Sequence, residues 1–411
     1  MIAPDFPTRI AFAQAQDILA RVASESLLAS ELVAPSQAFG RILAEDVHAA
    51  SAFPAFDNSA MDGFALRASD LDDADTLELA GEQFAGPALT LQVGPGQCVR
   101  VTTGAALPAG ADAVAMKEDT ELLGERIRFG SHVLRGQHVR HAGEDVQAGE
   151  RILSIGDVLT PAALSLSVAV GGDRLRVHRR PTVALFTTGD ELRPAGTALA
   201  PGEIHDSNRV LLQALLHAEG YHPVTWPVLP DDPVRIASAL GDAADAFDVV
   251  ITCGGVSAGE KDYLPAWLQA QGSIHFWKVL MRPGMPVLAG RVGDCQVLGL
   301  PGNPVSVFAT WLTLGRPFLD ALQGRREPRP RLQARLSLPV RKRHDRLEFL
   351  RGRLHCDAQG QLQVAPNPAD GSHRLRAAAE ANCLLLLPDG AGEWHAGQVV
   401  EVLPLSPAIG G

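Results

Sequence analysis

The chain has 411 residues, of which 46% are hydrophobic and 20% are charged, and its formal net charge at pH 7 is −11. Length and composition predict a folded protein of two to four domains and exclude a disordered or low-complexity chain. The negative charge opposes the basic surface that binds a phosphate backbone, so we expect neither DNA nor RNA as a partner.

The N-terminal part of the chain combines helices with short strands and Gly/Pro turns. Apolar residues recur at helical spacing over residues 10–33, and Pro35 ends that segment. A second helix is expected at residues 161–170, and strand-like runs occupy residues 97–101 and 113–116. The pattern predicts an α+β region, and by itself it leaves open whether that region folds as one unit or two.

From residue 181 onward, strands alternate with helices. This alternation predicts a parallel, doubly wound α/β sheet with helices on both faces, in which ligands bind beyond the carboxyl ends of the strands. We therefore expect functional loops after residues 187, 229 and 252. The predicted strands are residues 183–187, 224–229, 247–252 and 274–279, and the predicted helices are residues 209–219, 233–246, 264–270 and 304–322.

Beyond residue 325, short strands and polar turns predict a small all-β domain. Its first part is basic, because residues 325–353 hold 11 Lys or Arg against 3 Asp or Glu. Two interpretations stay open: a solvated linker whose charges protect edge strands, or a wall that faces an anion. The predicted domains are residues 1–180, residues 181–325 and residues 326–411.

Polar residues and glycines follow the three strands that are predicted to end at one sheet edge. Backbone amides of glycine-rich loops can cradle a phosphate, and carboxylate oxygens are suitable ligands for Mg²⁺. The edge therefore predicts a site for a nucleotide or phosphorylated ligand with Mg²⁺, although each loop taken singly could be only a turn or a helix N-cap. The residues concerned are Thr188, Gly189, Asp190, Glu191, Asp231, Asp232, Gly254, Gly255, Ser257 and Asp262.

Other loops could add cations or backbone amides to a site. Lys278 and Arg282 follow a predicted strand, and residues 300–304 form a rigid turn into a helix. The cysteines show no CxxC spacing and the histidines no HxxxH or HExxH grouping, which argues against a Cys- or His-based metal site. With neither a signal peptide nor an apolar run of membrane-spanning length, the sequence favours a cytoplasmic protein with reduced thiols.

Taken together, these loops resemble those of the molybdopterin molybdotransferase family, of MoeA type. The resemblance extends over residues 40–310, and its first and last motifs are long and specific. The matching motifs are residues 57–63 (DNSAMDG), 103–105 (TGA), 143–145 (GED), 188–191 (TGDE), 206–208 (DSN), 254–257 (GGVS) and 299–306 (GLPGNPVS).

The resemblance implies a homodimer of elongated, four-domain subunits. Two of the four domains would be intertwined subdomains of residues 1–180, one of residues 1–30 and 146–180 and the other mostly of 31–145. It also implies a reaction in which adenylylated molybdopterin and molybdate give molybdenum cofactor and AMP, with Mg²⁺ as the usual divalent cation. The resemblance further implies a molybdopterin adenylyltransferase as a partner.

The resemblance also implies roles for individual residues. Asp62 and Glu191 would be the critical acidic residues, and Thr103 and Asp145 would lie near the pterin, from the neighbouring subunit's side of the cleft. Asp190, Asp231 and Asp262 would hold the metal. The other substrate-binding positions would be Thr188, Gly189, Gly254, Gly255, Ser257, Lys278, Arg282, Pro301 and Pro304, with Arg351 and Ser372 closing an oxyanion pocket.

The chain departs from the family at one motif. The family commonly has Lys-Pro-Gly-Lys-Pro where residues 282–286 are Arg-Pro-Gly-Met-Pro, so Met285 removes a cation. A charge-assisted hydrogen bond to an anion contributes roughly 1.5–3 kcal/mol. Unless Arg282 and Arg351 compensate, the sequence predicts weaker molybdate binding, and Met285→Lys is expected to lower half-saturating molybdate about tenfold.

Two other functions are compatible with parts of the sequence. A molybdopterin adenylyltransferase shares the α/β domain and the GGVS loop, but residues 1–180 and the Asp62 loop argue against it. A non-catalytic scaffold of the gephyrin type shares the whole architecture, but acidic residues at all three strand ends favour an enzyme.

Overall fold

The structure is a computed structural model that describes residues 6–257, 259, 262–368, 371 and 374–405. The chain forms two compact units. The first contains the N-terminal residues up to Glu31, Gly40–Ile42 and the chain from His178 onward, and the second contains Leu32–Phe39 and Leu43–Val177. Within the described ranges, every helix is too short or too polar to span a bilayer.

The helices lie mainly in the first unit. A π-helical segment, Trp311–Gly315, joins α6 to α7, and short 3₁₀ turns lie at Pro35–Gln37, Ala68–Leu71 and Lys117–Asp119. The helices are α1 Phe12–Glu25, α2 Pro161–Ala169, α3 Ser207–Ala218, α4 Pro233–Ala246, α5 Leu264–Gln271, α6 Pro304–Thr310, α7 Arg316–Leu322 and α8 Leu375–Ala379.

The first predicted helix is longer than the observed one. The expected segment 10–33 contains α1 only to Glu25, after which the chain turns at Ser26 and the N–H of Leu28 donates to the carbonyl of Leu322 at 2.9 Å. Residues Ser30–Val33 are a strand. The prediction was wrong there because the buried face of the helix ends at Ala23, and the apolar residues farther on belong to the turn and to β2.

Short strands build most of the second unit. A sheet in the order β8-β5-β7-β6-β10-β9 has separate apolar clusters on its faces, with Phe64 and Leu66 in one and Ala65 in the other. The predicted strands at 97–101 and 113–116 are both present. In chain order the strands up to His178 are β1 Thr8–Ile10, β2 Ser30–Val33, β3 Val47–His48, β4 Asn58–Ser59, β5 Gly63–Leu66, β6 Thr76–Gln83, β7 Gln97–Val101, β8 Ala113–Met116, β9 Thr120–Leu123, β10 Arg126–Phe129, β11 Val139–Arg140, β12 Arg151–Leu153 and β13 Leu175–His178.

A seven-stranded sheet forms the centre of the first unit, in the order β1-β19-β21-β22-β18-β14-β17. Val183 and Leu185 belong to the apolar cluster on one face, and Ala184 and Phe186 to the cluster on the other, so the sheet is buried on both sides. The strands of this part are β14 Val183–Thr187, β15 Leu192–Arg193, β16 Ile204–His205, β17 Val224–Thr225, β18 Val249–Cys253, β19 Ser273–Val279, β20 Met281–Arg282, β21 Leu288–Val292 and β22 Cys295–Leu300.

This sheet is mixed rather than wholly parallel. β14, β17, β18 and β22 pair in parallel, but β21 is antiparallel to both β19 and β22. The sequence did not predict β21 and β22, which form a hairpin. The strand predicted over residues 224–229 is longer than the observed β17, Val224–Thr225. The prediction of a doubly wound α/β domain with helices on both faces is otherwise confirmed.

The C-terminal strands close into a small barrel, which confirms the expected all-β domain. β25 pairs with β26 and β27, and the chain of pairings through β23 and β29 returns to β27. β20 also pairs in parallel with β25, with Met281 opposite Leu347 and Arg282 opposite Glu348. The strands are β23 Leu332–Leu336, β24 Val340–Lys342, β25 Leu347–Cys356, β26 Leu362–Pro366, β27 Cys383–Leu387, β28 Gly392–Trp394 and β29 Val399–Pro404.

Candidate active site

The carboxyl ends of β14, β18 and β22 meet at one edge of the α/β sheet. The N–H of Thr188 donates to the carbonyl of Cys253 at 3.1 Å, and the N–H of Gly254 donates to the carbonyl of Leu300 at 3.1 Å. The loops that follow these strands are therefore held side by side. A cavity of about 300 Å³, here called the strand-end cavity, lies among them.

Most residues that the sequence predicts for the nucleotide or phosphate site line this cavity. Asp190 adjoins it, because its Oδ1 accepts a hydrogen bond from the N–H of Asp231 at 3.1 Å. Pro301 contacts a lining residue, because its carbonyl accepts a hydrogen bond from the buried thiol of Cys253 at 3.2 Å. The predicted residues that line the cavity are Thr188, Gly189, Glu191, Asp231, Gly254, Gly255, Ser257, Asp262 and Pro304.

Gly254 is required by the geometry of this edge. Its φ is +98°, and a Cβ there would lie 2.8 Å from both the carbonyl oxygen and the hydroxyl of Thr188. The Thr188 hydroxyl is buried and has no hydrogen-bond partner among the described residues. Since a buried hydroxyl without a partner is costly, this group is suited to a hydrogen bond with a bound ligand.

A buried hydrogen-bond network fixes the start of α3 at the same edge. Asp206 Oδ2 accepts hydrogen bonds from Thr187 Oγ1 at 2.6 Å and from Arg209 Nε at 2.9 Å. Asn208 lines the cavity, and its Nδ2 donates to the carbonyl of Gly302 at 2.7 Å. Asn208 was not among the predicted site residues, although the motif of residues 206–208 carried the signal for it.

The acidic residues of this edge suit a metal ion that a substrate shares. Among the described residues, no three His, Cys, Asp or Glu side chains lie close enough to hold an ion by themselves. Mg²⁺ is commonly held by one or two carboxylates together with substrate phosphates. The carboxylates of Asp231 and Asp262 at the cavity, with Asp190 beside them, fit that arrangement.

A second cavity, of about 290 Å³, is lined by arginines and is here called the arginine cavity. Arg282 Nε lies 3.4 Å from Glu348 Oε1, and the Arg351 guanidinium donates to the carbonyl of Gly371 at 3.3 Å. Arg346 is the third arginine of the lining. Pro286 lines both cavities, so the two are adjacent.

The basic segment 325–353 divides between the two interpretations that the sequence left open. Arg346 and Arg351 line the arginine cavity, as an anion-facing wall would. In contrast, Arg331 pairs with Glu401 at 3.0 Å and Arg341 pairs with Glu393 at 3.0 Å on the barrel surface. Sequence analysis did not single out Arg346.

Two other predicted residues have different outcomes. Lys278 lines neither cavity; it adopts a positive φ of +68°, and its Nζ lies 4.3 Å from the centroid of the Trp277 ring. Ser372 lies outside the described residues.

Asp62, Thr103 and Asp145 belong to the second unit. Asp62 Oδ1 accepts hydrogen bonds from the N–H of Thr103 at 2.8 Å and from its hydroxyl at 2.9 Å. These two bonds, the backbone one first, hold the pKa of Asp62 below its ordinary value. Asp145 is exposed, and its N–H donates to the carbonyl of Phe53 at 3.1 Å.

Comparison with known proteins identifies the family. Three family models match in succession: the MoeA N-terminal region (domains I and II) over residues 10–171, a probable molybdopterin binding domain over 184–321, and the MoeA C-terminal region (domain IV) over 333–405. The chain is 37% identical over 377 residues to a molybdopterin molybdenumtransferase of Haemophilus influenzae, with 91% of this chain and 93% of the relative covered. The chain belongs to the MoeA family.

Other MoeA relatives agree with this assignment. A molybdopterin molybdenumtransferase 2 of Mycobacterium tuberculosis is 36% identical over 386 residues, which cover 90% of this chain and 94% of the relative. A crystal structure of a molybdopterin biosynthesis MoeA protein from Pyrococcus horikoshii matches with a TM-score of 0.81 and 28% identity, covering 96% of this chain and 99% of that one. The expected family and fold class are therefore confirmed, and the chain is a transferase of molybdenum cofactor biosynthesis.

Proposed function

We propose that this MoeA protein inserts molybdenum from molybdate into adenylylated molybdopterin and releases AMP, with Mg²⁺ as cofactor. The observation that carries the proposal is the adjacency of the strand-end cavity and the arginine cavity at Pro286. One cavity offers carboxylates and glycine amides, and the other offers guanidinium groups. An adenylylated pterin and a small oxyanion would need two such sites next to each other.

The strand-end cavity suits the phosphoanhydride of the adenylylated substrate. Gly254 and Gly255 allow close approach of a phosphate to the backbone, and Ser257 adds a hydroxyl. Cleavage of a phosphoanhydride depends mainly on positioning the phosphates and neutralising the charge that develops. Glu191 also lines this cavity, and we assign it the role of the catalytic carboxylate there.

Mg²⁺ would be held by Asp190, Asp231 and Asp262 together with substrate oxygens. When bound, the ion would neutralise phosphate charge. The support for it is the oxygen chemistry of these side chains at the strand-end cavity.

The arginine cavity suits molybdate. The dithiolene that receives molybdenum belongs to the pterin, so no protein cysteine is needed near the oxyanion, and none is among the described residues that line this cavity. Arg282 and Arg351 supply guanidinium groups that donate to an oxyanion in a fixed planar geometry.

The proposal includes a homodimer in which Asp62, Thr103 and Asp145 of one subunit act on substrate bound by its partner. One support is the resemblance of residues 57–63 and 143–145 to the family motifs. The other is the pair of hydrogen bonds from Thr103, which stabilise the charged form of the Asp62 carboxylate. A closed two-fold dimer is the commonest arrangement among soluble oligomers.

The experiment that tests the proposed function supplies purified protein with two substrate pairs. With adenylylated molybdopterin and molybdate we expect AMP release that depends on molybdate. With ATP and molybdopterin we expect no pyrophosphate, whereas an adenylyltransferase would form it. A protein that acts only as a scaffold would give neither product. Formation of pyrophosphate, or the absence of both products, would overturn the proposal.

A further inference from the structure

The described residues that line the arginine cavity carry more positive than negative charge. Three guanidinium groups, of Arg282, Arg346 and Arg351, line it together with one carboxylate, that of Glu348. Glu348 is 5% exposed and pairs with Arg282. Among the described lining residues, guanidinium groups therefore outnumber carboxylates, which suits a bound oxyanion.

Arg346 differs from the other two arginines in its surroundings. Its Nη1 lies 3.9 Å from the sulfur of Met285, and within the described part of the chain no carboxylate forms an ion pair with it. A thioether is a weak, neutral acceptor that cannot balance a positive charge. The guanidinium of Arg346 is thus directed to the cavity wall without a countercharge from the described protein.

The fold fixes this arrangement. Arg346 directly precedes Leu347, and Leu347 pairs with Met281 where β20 joins β25. The loop that carries Met285 follows β20 directly. A cation from the barrel is thereby placed against the uncharged side chain of Met285.

We infer that Arg346 is a substrate-binding residue of the arginine cavity and supplies the positive charge that Met285 does not. This inference rests on the proposed function for the identity of the oxyanion, molybdate. It also changes the expectation for position 285. Because Arg346 already supplies a cation there, Met285→Lys alone should improve molybdate binding by less than the roughly tenfold gain expected from the sequence.

The test measures binding of inorganic molybdate to the full-length protein by equilibrium dialysis, without pterin. Arg346→Met is expected to weaken binding at least about tenfold, which corresponds to about 1.4 kcal/mol. Arg346→Lys should retain part of the affinity, and the double variant Arg346→Met with Met285→Lys should regain most of it, because the charge is moved rather than lost. Arg353→Met is the matched control, since Arg353 is exposed on β25, the strand that Arg346 directly precedes, and lines neither cavity.

Each outcome has a definite meaning when melting temperatures are unchanged. Wild-type affinity in Arg346→Met, absence of rescue in the double variant, or no molybdate binding by the wild type would overturn the inference. Binding that follows the expected order, in a wild-type protein that releases no AMP, would uphold the inference and reject the proposed function. Molybdate-dependent AMP release with the same half-saturating molybdate concentration in wild type and Arg346→Met would uphold the proposed function and reject the inference.

Discussion

Asp62 carries a charged carboxylate on the surface of the second unit, where Thr103 donates two hydrogen bonds to it. Asp62→Asn keeps the side-chain volume and removes the charge. We expect AMP release to fall at least about tenfold, the loss that corresponds to about 1.4 kcal/mol of transition-state stabilisation, with little change in melting temperature. Asp73→Asn, at another exposed aspartate of this unit, is the control and should keep full activity. Wild-type rates in Asp62→Asn would show that the carboxylate has no role.

The hydrogen bonds from Thr103 also make a prediction about pH. Because the folded-state pKa of Asp62 is lowered, its charged form stabilises the fold above the unfolded-state pKa, and this stabilisation is lost as the pH falls through the folded-state pKa. Thr103→Val removes the hydroxyl but keeps the backbone N–H, which has the larger effect. The pKa of Asp62 should therefore rise and still remain below its ordinary value. NMR titration of the carboxyl carbon measures it, and an unchanged pKa would contradict the account.

Single residues of the site differ in how far sequence could predict them. Thr188, Gly254 and Ser257 lie in local motifs that directly follow strands, so recognising each strand was enough to place them. Arg346 reaches the arginine cavity only because β20 pairs with β25, and these strands lie far apart in the sequence. No local pattern reports such a pairing, and so Arg346 stood in the sequence only as one charge of a basic segment.

At the scale of elements, the last helical region of the α/β part is interrupted by the π-helical segment between α6 and α7. Gly315 ends the π-helical segment, and a Cβ there would lie 2.8 Å from the ring of Trp311, which is fully buried. Gly315→Ala should lower the free energy of unfolding by about 1–3 kcal/mol through overpacking. Gly241→Ala in α4 is the matched control, because a Cβ there meets no atom within 4 Å and should instead stabilise the helix by about 0.5–1 kcal/mol. Denaturant unfolding measures both, and equal effects would contradict this view of the π segment.

The elements that sequence analysis missed had recognisable signals of another kind. β21 and β22 are joined by Gly293 and Asp294, a two-residue connection of a type that favours hairpins, with Gly293 at a φ of +56°. The expectation of strictly alternating strands and helices obscured it. Similarly, the single helix expected over 304–322 becomes α6, a π segment and α7, because Pro317 has no N–H to continue a regular helix.

At the scale of the whole molecule, the proposal requires a dimer with shared sites. Light scattering should report about twice the chain mass of 43.5 kDa at micromolar concentration. A stable monomer with full activity would contradict the dimer.

A mixing experiment tests the sharing itself. Asp62→Asn and Glu191→Gln should each have strongly reduced activity alone. If Asp62 acts on substrate bound by the partner subunit, a heterodimer of the two variants contains one intact site, so mixing under conditions of subunit exchange should restore activity. No recovery from a mixture shown to contain heterodimers would place both residues in a site within one subunit.

The central claim is that AMP release and molybdenum insertion are coupled in one protein with two adjacent cavities. The most direct measurement is to quantify, in the same reaction, the AMP released from adenylylated molybdopterin and the molybdenum bound to the pterin product. We predict equal amounts of the two, and neither product when molybdate is omitted. AMP release at an undiminished rate without molybdate, with no molybdenum found in the pterin, would contradict the account.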